Sequence, residues 1–167
     1  MKTTIKSPND ALAFLLQGLY YTEVRLKEIF PTCYCSISSE NICKAISNYT
    51  KSADNKLLKL ERIFNYLLTE PLVRKNAAID ELLVEMRQVV DSTTSAHTRD
   101  LLSVGYVQNI NAYKISTCRS AYMLAIELEL DAVTDLLQQI LEWEVDTSKT
   151  LSHLMTEEFI KRHLIKS

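Results

Sequence analysis

Proline and glycine are almost missing from this chain, and their scarcity constrains its fold more than any motif does. Pro8, Pro31 and Pro71 are the only prolines, and Gly18 and Gly105 the only glycines, among 167 residues. A chain of many short strands needs turn residues about every 8–12 positions. Few long helices joined by short links need far fewer.

The apolar residues recur at helical spacing, as that reading requires. Ser7-Pro8-Asn9-Asp10 is a helix start, with Ser as N-cap, Pro in the first turn and an acid at the positive end of the dipole. The first helix is predicted to stop before Pro31, since the residue ahead of a proline is pushed out of the helical region. Its stripe is Leu12, Leu15, Leu16, Leu19, Leu26 and Phe30, and Glu23 falls where an apolar residue is due. Gly18 lies within it, at a cost of up to about 1 kcal/mol relative to Ala, and would permit close helix approach. Ser38 or Ser39 caps a second helix that runs to about Leu68 and is ended by Pro71. Its stripe reads Ile42, Ile46, Tyr49, Ala53, Leu57, Leu60, Phe64 and Leu67. A shorter amphipathic segment covers about 77–90, and a polar break follows at 91–96. The third long helix runs from about Thr98 to Leu128, where Val107, Cys118, Ala121 and Ala125 share a stripe with Asn111 and Lys114. The fourth starts near Asp131 and shows Val133, Leu137, Ile140, Glu144, Thr147, Leu151 and Leu154. The tail from Thr156 either extends it or forms a terminal helix anchored by Phe159, Ile160 and Leu164.

These elements predict an all-α fold: an antiparallel four-helix bundle with an additional short helix between helices 2 and 3. Residues 1–167 form one domain, with a core over about 8–155 and a helical tail over 156–167. The net charge of −2 gives no electrostatic case for nucleic acid. The longest uncharged run, Leu101–Tyr113, is too short to span a bilayer. The N-terminus lacks the apolar stretch of a signal peptide, so a cytoplasmic location is the default. Cys33, Cys35 and Cys43 lie close together but without a nearby His and off the spacing of structural zinc sites, so they read as small buried or half-buried thiols. His153 and His163 fall on different faces and, like the basic residues Lys161, Arg162 and Lys166, read as surface groups. Tyr20, Tyr21, Tyr106, Tyr113 and Tyr122 read as packing residues with satisfied hydroxyls.

An antiparallel bundle sets the middles of its helices at one height. Glu23, Tyr49 with Ser52, Asn111 with Lys114, and Glu144 with Ser148 then form a polar layer inside an apolar core. In ferritin-like bundles, acids and histidines at this level hold two metal ions. Carboxylate oxygens suit iron or manganese.

The residues also resemble a family. Leu19-Tyr20-Tyr21-Thr22-Glu23-Val24-Arg25-Leu26 is similar to the opening helix of the YciE/YciF-type ferritin-like proteins. Lys59-Leu60-Glu61-Arg62-Ile63-Phe64 resembles the end of their second helix, and Gln108–Tyr113 their third-helix motif. Leu136-Leu137, Leu141, Glu142, Glu144 and Leu151 match the fourth. The resemblance implies a bacterial, cytoplasmic, stress-associated bundle, and it places Glu23 and Glu144 where the family has metal-ligand acids. It also exposes departures. Tyr49, with Lys51 and Ser52 near it, stands at the family's His and Glu positions on the second helix. Asn111 and Lys114 replace the two acids of the third, and Ser148 an Asp of the fourth.

Two acids cannot neutralise two divalent cations, and Lys114 brings a positive charge among them. A degenerate site therefore follows, with no bound cofactor and no catalytic residue. In it Lys114 replaces the metal as counter-charge to Glu23 and Glu144, and Asn111, Tyr49 and Ser148 supply hydrogen bonds. In the alternative arrangement Lys114 runs out along its helix and Glu23 reaches solvent at a seam. The function expected is that of a binding or interaction protein, as a homodimer or with a protein partner; Trp143, on a seam or an exposed face, is a candidate contact. A small-ligand binder using a cavity near the layer is a further class. The remaining alternative is an iron or manganese oxidoreductase using Glu23 and Glu144 with unusual ligands.

Overall fold

The computed structural model describes residues 4–33, 36–71 and 74–165, and all the regular structure in them is helical. Five helices follow in order: α1 (Pro8–Cys33), α2 (Glu40–Tyr66), α3 (Ala77–Ser92), α4 (Ala96–Glu127) and α5 (Asp131–Ile165). Helices α1, α2, α4 and α5 make an antiparallel four-helix bundle of ferritin-like type. Each of α1 and α5 packs between α2 and α4, so α1 and α5 face each other across one diagonal, and α2 and α4 across the other. The link from α2 to α4 returns the chain along the length of the bundle, and α3 occupies that return, packed on α4 and against α1. Among the described residues, no helix is long and apolar enough to cross a membrane.

Local chemistry fixes the ends. Ser39 accepts a hydrogen bond from the Ile42 amide, and Ser95 from that of Thr98, each capping its helix. The start of α2 is also held from across the bundle. Asp100, buried on α4, accepts from the backbone amides of Ser38 (3.0 Å) and Ser39 (2.8 Å) and from the Ser38 hydroxyl (2.7 Å). A carboxylate at a helix N-terminus satisfies orphan donors and complements the dipole.

At the other end, α2 stops at Tyr66, ahead of Pro71, through a Schellman turn. Leu68 takes φ 51°, and the Thr69 amide donates to the Phe64 carbonyl at 3.0 Å. Helix α4 ends the same way, with Glu129 at φ 55° and the Leu130 amide on the Ala125 carbonyl. Both positions usually fall to glycine, and neither is glycine here. Leu68 is 94% exposed, so its side chain offers little in return. Leu68→Gly is therefore expected to raise stability by about 0.5–1 kcal/mol, read as a higher urea midpoint with unchanged slope.

Two expectations need correction. First, α1 does not stop before Pro31 but runs through it to Cys33. In the last turn the missing proline N–H forfeits one bond and disturbs nothing beyond it, while Thr32 Oγ1 (2.7 Å) and Cys33 Sγ (3.5 Å) donate to the Ile29 carbonyl. Second, the group that approaches Gly18 is the Arg74 guanidinium, not a helix. A Cβ at residue 18 would meet Arg74 Nη2 at 2.5 Å, and the guanidinium lies 3.7 Å from the Phe14 ring centroid. The tail extends α5 without a break, one of the two arrangements expected, and Ile160 is half exposed. The side chains of Phe159 and of residues 161–167 lie outside the described residues, as does Cys35. Cys33 and Cys43 are half-buried and Cys118 is buried. Among the tyrosines, Tyr20 donates to Glu61, Tyr21 to Asp80, and Tyr113 accepts from Asn76.

The core has two apolar clusters. One gathers Leu12, Leu16, Leu19, Leu60, Phe64 and Leu137 with the small residues Cys118, Ala121 and Ala125. The other gathers Leu26, Phe30, Ile42, Ile46, Val107 and Ile110 with Leu83 and Met86 of α3. Between them, midway along the bundle, the side chains become polar.

Candidate functional site

Each bundle helix brings one charged side chain to the middle of the core. Glu23 comes from α1, Lys56 from α2, Lys114 from α4 and Glu144 from α5, and none is more than 2% exposed. Helical spacing places them there: Glu23 is one turn from Leu19 and Leu26, Lys56 from Leu60, Lys114 from Cys118, and Glu144 from Ile140. Acids occupy one diagonal of the bundle and lysines the other, so each charge has opposite charges on both neighbouring helices. Two acids against two ammoniums leave the layer neutral.

The contacts are close. Lys114 Nζ pairs with Glu23 Oε1 and lies 2.6 Å from Glu144 Oε1. Lys56 Nζ lies 2.6 Å from that same Glu144 oxygen. Both ammoniums therefore meet a single Glu144 oxygen as buried ion pairs. Two further hydrogen bonds complete the layer: Asn111 Nδ2 donates to Glu144 Oε2 at 2.6 Å, and Lys114 Nζ donates to the Tyr49 hydroxyl at 3.2 Å. The Tyr49 ring also faces both cations, 4.9 Å from Lys56 Nζ and 4.7 Å from Lys114 Nζ. Among the described residues, Glu23 Oε2 has no hydrogen-bond partner.

Burial and charge pull the protonation equilibria in different directions. Burial presses the Lys114 ammonium down, but Glu144 and Glu23 outweigh it and hold it well above the ordinary lysine value. Burial and then the neighbouring Lys114 charge press Lys56 below that value. Burial favours the neutral acid at Glu144, yet Lys114 and Lys56 together keep its carboxyl below the usual range. Burial pushes the Tyr49 phenol up, and the Cys118 thiol to about 12.

Of the residues expected in the layer, Glu23, Tyr49, Asn111, Lys114 and Glu144 meet there. Lys114 does not run out to solvent. Two stand aside. Ser52 turns its hydroxyl to the Tyr49 carbonyl of its own helix at 2.7 Å. Ser148 is half-buried and makes no hydrogen bond to the layer. Lys51 is exposed. Lys56 was not among the expected residues. Its signal was present, since residue 56 lies two turns after Tyr49 and one before Leu60, but a lysine in a stripe is ordinarily taken as a solvent-facing interruption.

The donor set does not fit the two metal ions that ferritin-like bundles hold at this level. Both carboxylates are already neutralised by ammoniums, and an ammonium has no lone pair to offer a metal. Among the described residues, no three His, Cys, Asp or Glu side chains lie close enough together to coordinate an ion.

The comparisons agree with this fold. The family model described as "Domain of unknown function (DUF892)" matches residues 7–164. The Escherichia coli protein YciF is 22% identical over 151 residues, covering 90% of this chain and 91% of that protein. The crystal structure of the E. coli stress protein YciF superposes with a TM-score of 0.89 at 22% identity, over 94% of this chain and 99% of the other. The Rhodopseudomonas palustris protein YcfI gives a TM-score of 0.87 at 20% identity, over 91% and 97%.

Proposed function

The chain belongs to the DUF892 family, and from that premise we propose that it is a non-catalytic, stress-associated binding or interaction protein on a ferritin-like frame. In this reading the residues of a di-metal layer have been exchanged for an internal ion quartet, and the protein works as one cytoplasmic domain, paired as a homodimer or with a protein partner. The observation that carries the reading is the placement of Lys56 and Lys114. They set two amino groups against the two acids, where a metal-dependent oxidoreductase would need those acids free.

The test is metal content of protein expressed with added iron and manganese, with melting followed with and without chelator. Substoichiometric metal and a chelator-independent melting temperature are expected. Close to two metal ions per chain with a chelator-sensitive melt would overturn the reading in favour of an iron or manganese protein using Glu23 and Glu144.

A further inference from the structure

On the opposite side of Tyr49 and Trp143 from the quartet, a cleft of about 230 Å³ opens to solvent between α2 and α5. Tyr49, Trp143 and Leu151 give it apolar walls. Buried Lys56 approaches Trp143 from the core, with its Nζ 5.8 Å from the ring centroid. An apolar cavity of roughly 150 Å³ takes up benzene, so the cleft has room for one ring and a short chain.

The polar groups lining it are biased toward acceptors. Ser52 donates its hydroxyl proton to the Tyr49 carbonyl (2.7 Å), Thr147 to that of Trp143 (2.9 Å), and Thr150 to that of Asp146 (3.0 Å). With their protons committed, the three hydroxyls offer lone pairs. Asp146, the one ionised group on the lining, is an acceptor too. Only the Asn48 amide and the Trp143 indole add N–H donors on this surface. A ligand with several N–H donors, a positive charge and an apolar body matches the lining on all three counts. An anion or a bare acceptor does not.

We propose that the α2–α5 cleft binds a small protonated amine with an aromatic or aliphatic body. The ammonium lies among Asp146, Thr147 and Thr150, and the body lies on Trp143 and Leu151. Lys149, whose Nζ is 3.0 Å from Asp146, lines the neighbouring α4–α5 groove and competes from that side for the same carboxylate. The proposal rests on the reading of this chain as a binding protein. Metal content tests that reading and ligand titration tests this one, so their failures are distinguishable.

Trp143 is the sole tryptophan, so its fluorescence reports the cleft directly. The full chain is titrated with benzylamine, benzyltrimethylammonium, benzyl alcohol and benzoate, at a pH where benzylamine is charged. Benzylamine is expected to bind most tightly, benzyltrimethylammonium next because it keeps the charge but not the N–H donors, then benzyl alcohol, and benzoate least. Asp146→Asn is expected to weaken benzylamine about fivefold and to leave benzyl alcohol unchanged, while Lys149→Met tightens benzylamine about threefold. Both residues are exposed, so both variants keep the fold, which circular dichroism checks. No response to benzylamine, or benzoate binding as tightly, would overturn the site. Equal affinity for benzylamine and benzyl alcohol would also overturn it, because the acceptor lining would then play no part.

Discussion

Lys114→Met is expected to destabilise the protein by on the order of 3–5 kcal/mol, the range for removing one member of a buried charge network. Lys114 is the one cation in contact with both acids. Without it, Glu23 keeps no ion-pair partner within contact and faces Glu144 across the bundle axis. Lys56→Met is expected to cost clearly less. The environment favours the charged form of Lys114 and disfavours that of Lys56, and methionine imitates a lysine without its charge. Chemical denaturation of both variants at neutral pH gives the comparison. Equal losses would mean that the two lysines share the acids evenly. No loss at Lys114 would mean that the quartet contributes nothing to stability.

Glu144→Gln carries the second large effect, and its signature is a change in the direction of pH dependence. In the native chain, the depressed carboxyl of Glu144 contributes stability that is present above its ordinary value of 4.5 and lost as pH falls below it. The raised Lys114 contributes stability that is present below its ordinary value of 10.5 and lost as pH climbs beyond it. Lys56, whose value is lowered, acts in the opposite sense and returns some stability as pH rises toward 10.5. Between those limits the native profile is expected to be nearly flat. In Glu144→Gln, two buried ammoniums face a single acid. The cost is on the order of 3–5 kcal/mol at neutral pH, and one lysine then holds its proton less firmly in the folded than in the unfolded chain. The unfolded state binds more protons, so stability climbs with pH on the alkaline side, by up to about 1.4 kcal/mol per pH unit. Unfolding free energies at intervals from acid to alkaline pH measure the slope. A flat variant profile would show that the lysines are not confined together.

Most of the architecture is legible in the sequence because apolar spacing and the lack of turn residues report it twice over. The two Schellman turns are not legible, since Leu68 and Glu129 stand where glycine would have announced a helix end. Nor is the clamp of Asp100 on the start of α2, which joins residues about sixty apart by backbone amides that carry no sequence identity. In the layer, Glu23, Asn111, Lys114 and Glu144 are legible as polar interruptions of apolar stripes. Ser52 is misplaced because its hydroxyl turns to its own helix backbone, and Ser148 stays half-buried outside the layer. Lys56 is missed for a related reason: a long side chain can lie along the core or leave it, and only the neighbours' charges decide which.

The alternating diagonals of the quartet bear on which arrangement of the four helices is singled out. The apolar clusters on either side are permissive, because leucine, isoleucine and alanine tolerate exchange of neighbours. The charges are not. Sliding any one helix by a single turn, about 5.4 Å, would carry its charge into hydrocarbon and break at least one ion pair of the quartet, whichever helix moved. The layer therefore acts as a register mark, with one notch cut in each of four rods, so that the rods assemble fully only when all four notches coincide.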